Sequence, residues 1–189
     1  MRARDRLVVT AIDLIRRHGV AATGLTALLE HSGTARRSLY VNFPGGKAEL
    51  VTEATVTAGQ AIADVIDGML DELDPAGAVR AFVQMWVTNL TTNGYRLGCP
   101  IVAAALARTD APAAADAAGQ TFVDWERRIA ARLETEGVPV DDADRLATLT
   151  VSSVEGAIIL AQATGSELPL RRVEESLVEL VEQRLSSRS

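Results

Sequence analysis

Arg36, Arg37, Ser38 and Tyr40 set four hydrogen-bonding side chains within five residues, and Lys47, the chain's only lysine, follows shortly after. Guanidinium forks match the acceptor edges of guanine, and hydroxyls and ammonium groups match phosphate oxygens. The chemistry this points to is recognition of a polyanion. Two other placements agree with it. Lys47 stands in the first turn of an expected helix, and Arg2, Arg4 and Arg6 crowd the start of another. The helix dipole disfavours a cation at either place unless an anion binds nearby. The plainer alternative is a solvated charged surface.

These residues need elements to hold them. Leu7, Val8, Ala11, Ile12 and Ile15 recur at helical spacing ahead of Gly19, which predicts a helix over about residues 4–18. Thr23 is placed to cap a second, short helix whose Leu25, Leu28 and Leu29 share a face and which Ser32-Gly33 ends. Thr34 opens a third helix running to Val41, with Leu39 inward and Arg36, Arg37, Ser38 and Tyr40 outward. Two short helices about a tight glycine-containing turn make a helix-turn-helix pattern. After Phe43-Pro44-Gly45-Gly46 a long helix is expected to about Leu73, followed by helices over about 76–92, 101–108, 113–136, 142–164 and 170–185. Nothing alternates with period two, so the expected fold is all-α with about nine helices. The expected domains are residues 1–50, with the helix-turn-helix at about 24–43, and residues 51–189.

Charge follows the same division. The 189-residue chain has a net charge of −6, yet residues 1–50 carry eight basic and four acidic side chains, for +4, and the remainder carries −10. A basic head on an acidic body makes the head the candidate for anionic partners. A composition 48% hydrophobic and 23% charged excludes a disordered or fibrous chain. Cys99 alone forms no internal disulfide and anchors no cysteine-rich zinc site, and His18 and His31 are too few for most metal clusters. No cofactor is expected. The N-terminal stretch lacks a signal-peptide core, and no uncharged apolar run reaches the ~18 residues of a membrane helix. The most hydrophobic segment, 146–166, is broken by Glu155 and two serines. A reducing, cytoplasmic setting away from membranes is expected. Phosphate-loop, dinucleotide and zinc-protease motifs are absent, which argues against an enzyme.

The run from Thr23-Gly24-Leu25 through Gly33-Thr34-Ala35-Arg36-Arg37-Ser38-Leu39-Tyr40-Val41-Asn42-Phe43-Pro44-Gly45-Gly46-Lys47-Ala48-Glu49-Leu50 resembles the DNA-binding domain of the tetracycline-repressor (TetR) family. The spacing of Leu-Tyr, two residues, Phe, then Lys and Glu-Leu is specific to it, and the likeness covers about residues 4–55. The Pro-Gly-Gly-Lys form, with Gly98-Cys99-Pro100, further resembles the drug- and flavonoid-responsive repressors related to the lincomycin-resistance repressor (LmrA/YxaF-like). The resemblance implies a three-helix DNA-binding domain followed by a helical ligand-binding and dimerisation domain, with the third helix in the major groove of a DNA operator. Tyr40, Lys47 and Thr23 would then grip phosphates, and Arg36, Arg37 and Ser38 would lie against base edges or nearby backbone, with Thr34 at the start of that helix. Arg37 departs from the family by standing where glycine is common, and Val41 by standing where a polar residue is frequent.

In the acidic body, Phe82 and Trp86 share one helix face, with Met85 and Asn89 beside them, and Phe122 and Trp125 share another. If these faces meet they line an apolar cavity for a small-molecule effector; ordinary core packing is the alternative for each. Cys99 and Glu155 are further candidates for that ligand site, Glu155 for a cationic or hydroxylated ligand. The last two long helices fit dimerisation, and Val173, Leu177, Leu180 and Val181 belong to an apolar stripe on the last one that fits a homodimer interface, or else packing within the chain. The reading that results is a ligand-responsive, homodimeric repressor on a near-palindromic operator. A helical small-molecule carrier, or a DNA-binding activator without an effector, remains open.

Overall fold

The computed structural model describes residues 1–186. Among them the regular structure is helical throughout: α1 (Ala3–Ala22), α2 (Leu25–Ser32), α3 (Arg36–Asn42), α4 (Gly46–Glu72), α5 (Pro75–Thr92), α6 (Pro100–Ala105), α7 (Pro112–Thr135), α8 (Val140–Thr164) and α9 (Leu168–Ser186). The chain forms two compact units. One is Met1–Ala61 with Gly98–Thr121; the other is Ile62–Leu97 with the chain from Phe122 onward. The expected division at residue 50 falls inside α4, which like α7 contributes residues to both units.

In the first unit α1 packs on α2, α3 and α6. Leu7, Ala11, Leu14 and Ile15 repeat at helical spacing and are buried, as are Leu28 of α2 and Leu39 of α3. Leu39 anchors a seven-residue helix too short to be stable alone, and truncating it to alanine would cost about 2–5 kcal/mol. Two local expectations are corrected. The chain departs from helical geometry at Gly19 (φ 75°, ψ 172°) but α1 resumes to Ala22, and Thr23 closes α1 instead of capping α2. The Thr23 amide donates to the Val20 carbonyl at 3.2 Å and its hydroxyl to Gly19 at 2.7 Å. Likewise α3 begins at Arg36 with Ala35 as its N-cap, so Thr34 belongs to the turn, where its buried hydroxyl donates to the Ser32 carbonyl at 3.3 Å. Arg16 pins the Gly98-Cys99-Pro100 bend, its Nε donating to the Gly98 carbonyl at 2.9 Å.

In the second unit α8 packs on α5 and α9, and α5 starts cleanly because the Asp74 carboxylate accepts from the Gly77 amide at 2.6 Å ahead of Pro75. Ala76, Leu133, Leu146, Ala147 and Val181 form part of the apolar cluster. Among the described residues α8 is the one helix long and apolar enough to cross a membrane by length and composition. Its Ala147, Val154, Ala157 and Ile158 are buried inside the unit, and so is Glu155.

Two arginines of α7 hold the end of α4. Arg128 pairs with Asp67 and with Asp124, and the Arg132 Nε donates to the Leu70 carbonyl at 3.0 Å. Both residues advance together, so α4 and α7 run in the same direction here. The hydrogen bond from Arg128, reinforced by Arg127, holds the Asp124 carboxyl below the usual carboxylate range. Unfolded Asp124 takes up its proton at the ordinary value and native Asp124 only at lower pH, so the pair's contribution is complete above about pH 4 and is lost as pH falls through the depressed value. Asp124→Asn is expected to lower stability by about 1 kcal/mol at pH 7. Urea unfolding across a pH series should show the variant and the parent converging in acid.

Candidate functional site

On α3, Arg36, Arg37, Tyr40 and Val41 are exposed and share one face, opposite buried Leu39. Ser38 is half-buried at the edge of that face, and its carbonyl accepts from Asn42 Nδ2 at 2.7 Å. Arg36 and Arg37 make no ion pair or side-chain hydrogen bond among the described residues, so both guanidinium forks are available to a partner. Tyr40 is 45% exposed and its ring lies over Gly46. A Cβ on Gly46 would come within 3.2 Å of Tyr40 Cε1, and φ there is +66°, a conformation that side chains rarely adopt. The Glu49 carboxylate accepts from the Gly45 amide at 2.7 Å and closes the start of α4.

Of the six other cations of the head, all but the exposed Arg2 have internal partners among the described residues. Lys47 is half-buried and its Nζ donates to the Val20 carbonyl at 3.2 Å, near the end of α1. Arg6 Nε donates to the Ser32 carbonyl at 3.1 Å, at the end of α2. Arg4 pairs with Glu53 at 2.7 Å and lies 5.4 Å from the Phe43 ring centroid. Arg17 pairs with Asp13 at 2.8 Å. The conflict between Lys47 and its own helix dipole is therefore relieved within the protein, at another helix's negative end. Thr23, expected at a phosphate, and Thr34, expected among the DNA-binding residues, are buried with their hydroxyls donated to backbone carbonyls.

Gly46→Ala is expected to displace Tyr40 and strain the entry to α4. It should cost about 1 kcal/mol or more of stability and weaken DNA binding while leaving α3 folded, which circular dichroism and a mobility shift together would check.

The second unit holds an apolar cavity of about 60 Å³. Of the eight ligand candidates, Phe82, Trp125 and Glu155 line it. Met85, Trp86, Asn89 and Phe122 lie off the wall; Trp86 is core, and Phe122 packs edge-on against Trp125 at 5.5 Å and 84°. Cys99 is buried in the first unit as the N-cap of α6. Sequence reading missed Ile66, Leu70, Arg132 and Thr150 on this wall. Their only signal was an inward helical period, which cavity wall and solid core share. Among the described residues no cluster of His, Cys, Asp or Glu is arranged to hold a metal.

The stripe expected at a dimer interface is divided. Leu177 and Val181 are each 2% exposed, taken up in the chain's own core, and Val181 also lines the cavity. Val173 is half-buried and Leu180 is exposed. The larger exposed apolar surface is on α8, where Leu149, Ile159 (47%) and Leu160 (56%) face outward.

Comparison with known proteins fits this geometry. Residues 7–54 match the family model for bacterial regulatory proteins of the tetR family, and residues 75–176 match that for the C-terminal domain of LmrA/YxaF-like transcriptional regulators. The chain is 37% identical to an HTH-type transcriptional regulator of Mycobacterium tuberculosis, over 98% of this chain and 97% of the relative. It is 30% identical to the HTH-type transcriptional regulator YxaF of Bacillus subtilis, over 96% of each. The crystal structure of a regulatory protein TetR from Rhodobacter sphaeroides superposes with a TM-score of 0.85 at 21% identity, covering 94% of this chain and 97% of that one. These regulators are not enzymes. The chain belongs to the TetR family of DNA-binding transcriptional regulators, with an LmrA/YxaF-like C-terminal domain.

Proposed function

We propose that the protein is a homodimeric repressor that binds a near-palindromic operator and is released by a small, largely apolar effector held in the cavity of the second unit. The observation that carries the DNA-contacting role is the outward face of α3, where Arg36 and Arg37 have no partner among the described residues. In a helix-turn-helix the second helix of the motif enters the major groove. Arg37 is assigned to base edges and Arg36 and Ser38 to edges or adjacent backbone, while Tyr40 and Lys47 take phosphates. An ammonium has three donors, so Lys47 can hold Val20 and a phosphate together. Thr23 and Thr34 support the motif from within and are not assigned a contact. Residues 1–50 thus form the DNA-contacting part and 51–189 the effector and pairing part, in a cytoplasmic setting where DNA is accessible.

The pairing surface is best supported on α8. Leu149, Ser152, Ser153, Gly156, Ile159, Leu160 and Ala163 recur along one outward face, and between Arg145 and Glu167 the sole charged side chain is Glu155, which is buried. An uncharged apolar face of this length is uncommon on a monomer, and a second copy of the same helix matches it in kind. Two-fold pairing would place two α3 helices about one DNA turn apart, ~34–36 Å. Effector binding then lowers DNA affinity by the difference in its affinity for two conformations, a coupling of about 1–3 kcal/mol in typical cases. The helix α4 transmits it, since Ile66 and Leu70 line the cavity and Gly46 seats Tyr40.

A mobility shift with the region upstream of the protein's own gene tests the DNA reading. Arg37→Ala is expected to relax base preference, costing about 1–3 kcal/mol on the operator and little on random DNA. Lys47→Ala should weaken both alike and flatten the salt dependence by about one unit of slope. Equal losses on both DNAs for the two variants would sink this division. For pairing, Ile159→Glu with Leu160→Glu is expected to convert a dimer to a folded monomer in sedimentation at micromolar concentration; a monomeric parent would refute the homodimer.

A further inference from the structure

The cavity of the second unit has two unlike ends. One belongs to the apolar cluster that contains Ala76, Leu133, Ala147 and Val181. Leaving that cluster along three helices, the first aromatic or acidic wall residues lie at similar heights. Phe82 is six residues beyond Ala76 on α5, Trp125 eight before Leu133 on α7, and Glu155 eight beyond Ala147 on α8. At ~1.5 Å of rise per residue these are separations of roughly 9–12 Å, so two rings and a carboxylate gather at the far end. Ile66 joins them, because its neighbour Asp67 meets Arg128, three residues from Trp125. Phe122, packed edge-on against Trp125, restrains that ring.

The cation on the wall, Arg132, sits elsewhere and is engaged. Its guanidinium donates to the Leu70 and Leu73 carbonyls and to Glu136, and it stands seven residues, ~10 Å, along α7 from Trp125. A ligand anion would meet a carboxylate at one end and an occupied guanidinium at the other. A ligand cation would meet two π-systems and a carboxylate where water is scarce, conditions that strengthen cation–π and ionic attraction.

We infer that this cavity takes a compact ammonium compound, its charged head set at the Phe82, Trp125 and Glu155 end and the rest of it toward Leu133 and Val181. The inference rests on the cavity as effector site and adds the effector's chemical class. The volume of about 60 Å³, at ~10–15 Å³ for each water-sized position, restricts the whole ligand to a few heavy atoms, the class of choline or a short primary amine.

The test titrates the full chain with choline and with its neutral isostere 3,3-dimethylbutan-1-ol, followed by calorimetry. The cation is expected to bind at least tenfold more tightly. Glu155→Gln should cut that ratio to threefold or less, and Phe82→Leu should weaken choline three- to tenfold while moving the alcohol by less than twofold. Equal binding of the two probes, binding of neither, or a ratio unchanged in both variants overturns the inference. Operator release is scored separately. Choline that binds with the stated preference yet leaves the DNA complex intact sinks the effector reading and not the cavity's chemistry. Release by the alcohol at equal concentration does the reverse.

Discussion

Every α-helix ends with carbonyls that have no partner in the helix itself, and this all-helical chain closes several of those ends with cations. Lys47 reaches Val20 at the end of α1, Arg6 reaches Ser32 at the end of α2, and Arg132 reaches Leu70 and Leu73 at the end of α4. Each contact joins two elements as well as capping one, and each places a positive charge where a helix dipole favours it. The short helices depend on this most. Eight-residue α2 and seven-residue α3 gain little from their own hydrogen bonds, so Leu28 and Leu39 inside and Arg6 at the end of α2 hold the motif in shape.

That constraint decides which charges are left for a partner. The head's +4 suggests a broadly basic surface, but Arg4, Arg6, Arg16, Arg17 and Lys47 each make contacts within the protein. The cations left without such a contact among the described residues are Arg2, at the chain's start, and Arg36 and Arg37 on the outward face of α3, one turn ahead of Tyr40 and Val41. A field concentrated on one helix face gives direction to an encounter with DNA that an evenly basic head would not.

Much of this was legible in the residues. The all-helical class, most helix boundaries to within a few residues and the inward turn of Leu39 follow from apolar spacing and from glycine and proline punctuation. Thr23 and Thr34 misled because a threonine before a helix looks the same whether its hydroxyl caps that helix or closes the previous one. Leu177 and Val181 misled for a related reason, since a stripe at helical spacing does not say which neighbour covers it. The expectation that α8 shares in pairing had its own signal. A segment apolar on more than one side is either fully buried or shared with a partner, and 146–166 has that character. Choosing the cavity wall needed tertiary contacts, because Phe82 and Trp86, or Phe122 and Trp125, differ by a turn or less and only one of each pair reaches the wall.

The helix α8 faces two ways. On one side α8 carries Thr150, Val154 and Glu155 to the cavity, and on the other Leu149, Ile159 and Leu160 are exposed. On α4, Ile66 and Leu70 form part of the same wall, while Gly46 at the other end accommodates the Tyr40 ring. Helices transmit displacement because their interiors are close-packed and their backbone bonds resist bending. Under the proposed function, a group entering the cavity would press on α4, which carries Ile66 and Leu70, and on α8, which also presents the uncharged outer face. Two opposed constraints meet at Glu155. The carboxylate is costly to bury, yet moving it to the outer side of α8 would interrupt the uncharged run from Leu149 to Ala163. Its inward position keeps that face uncharged and gives the cavity its one acidic group.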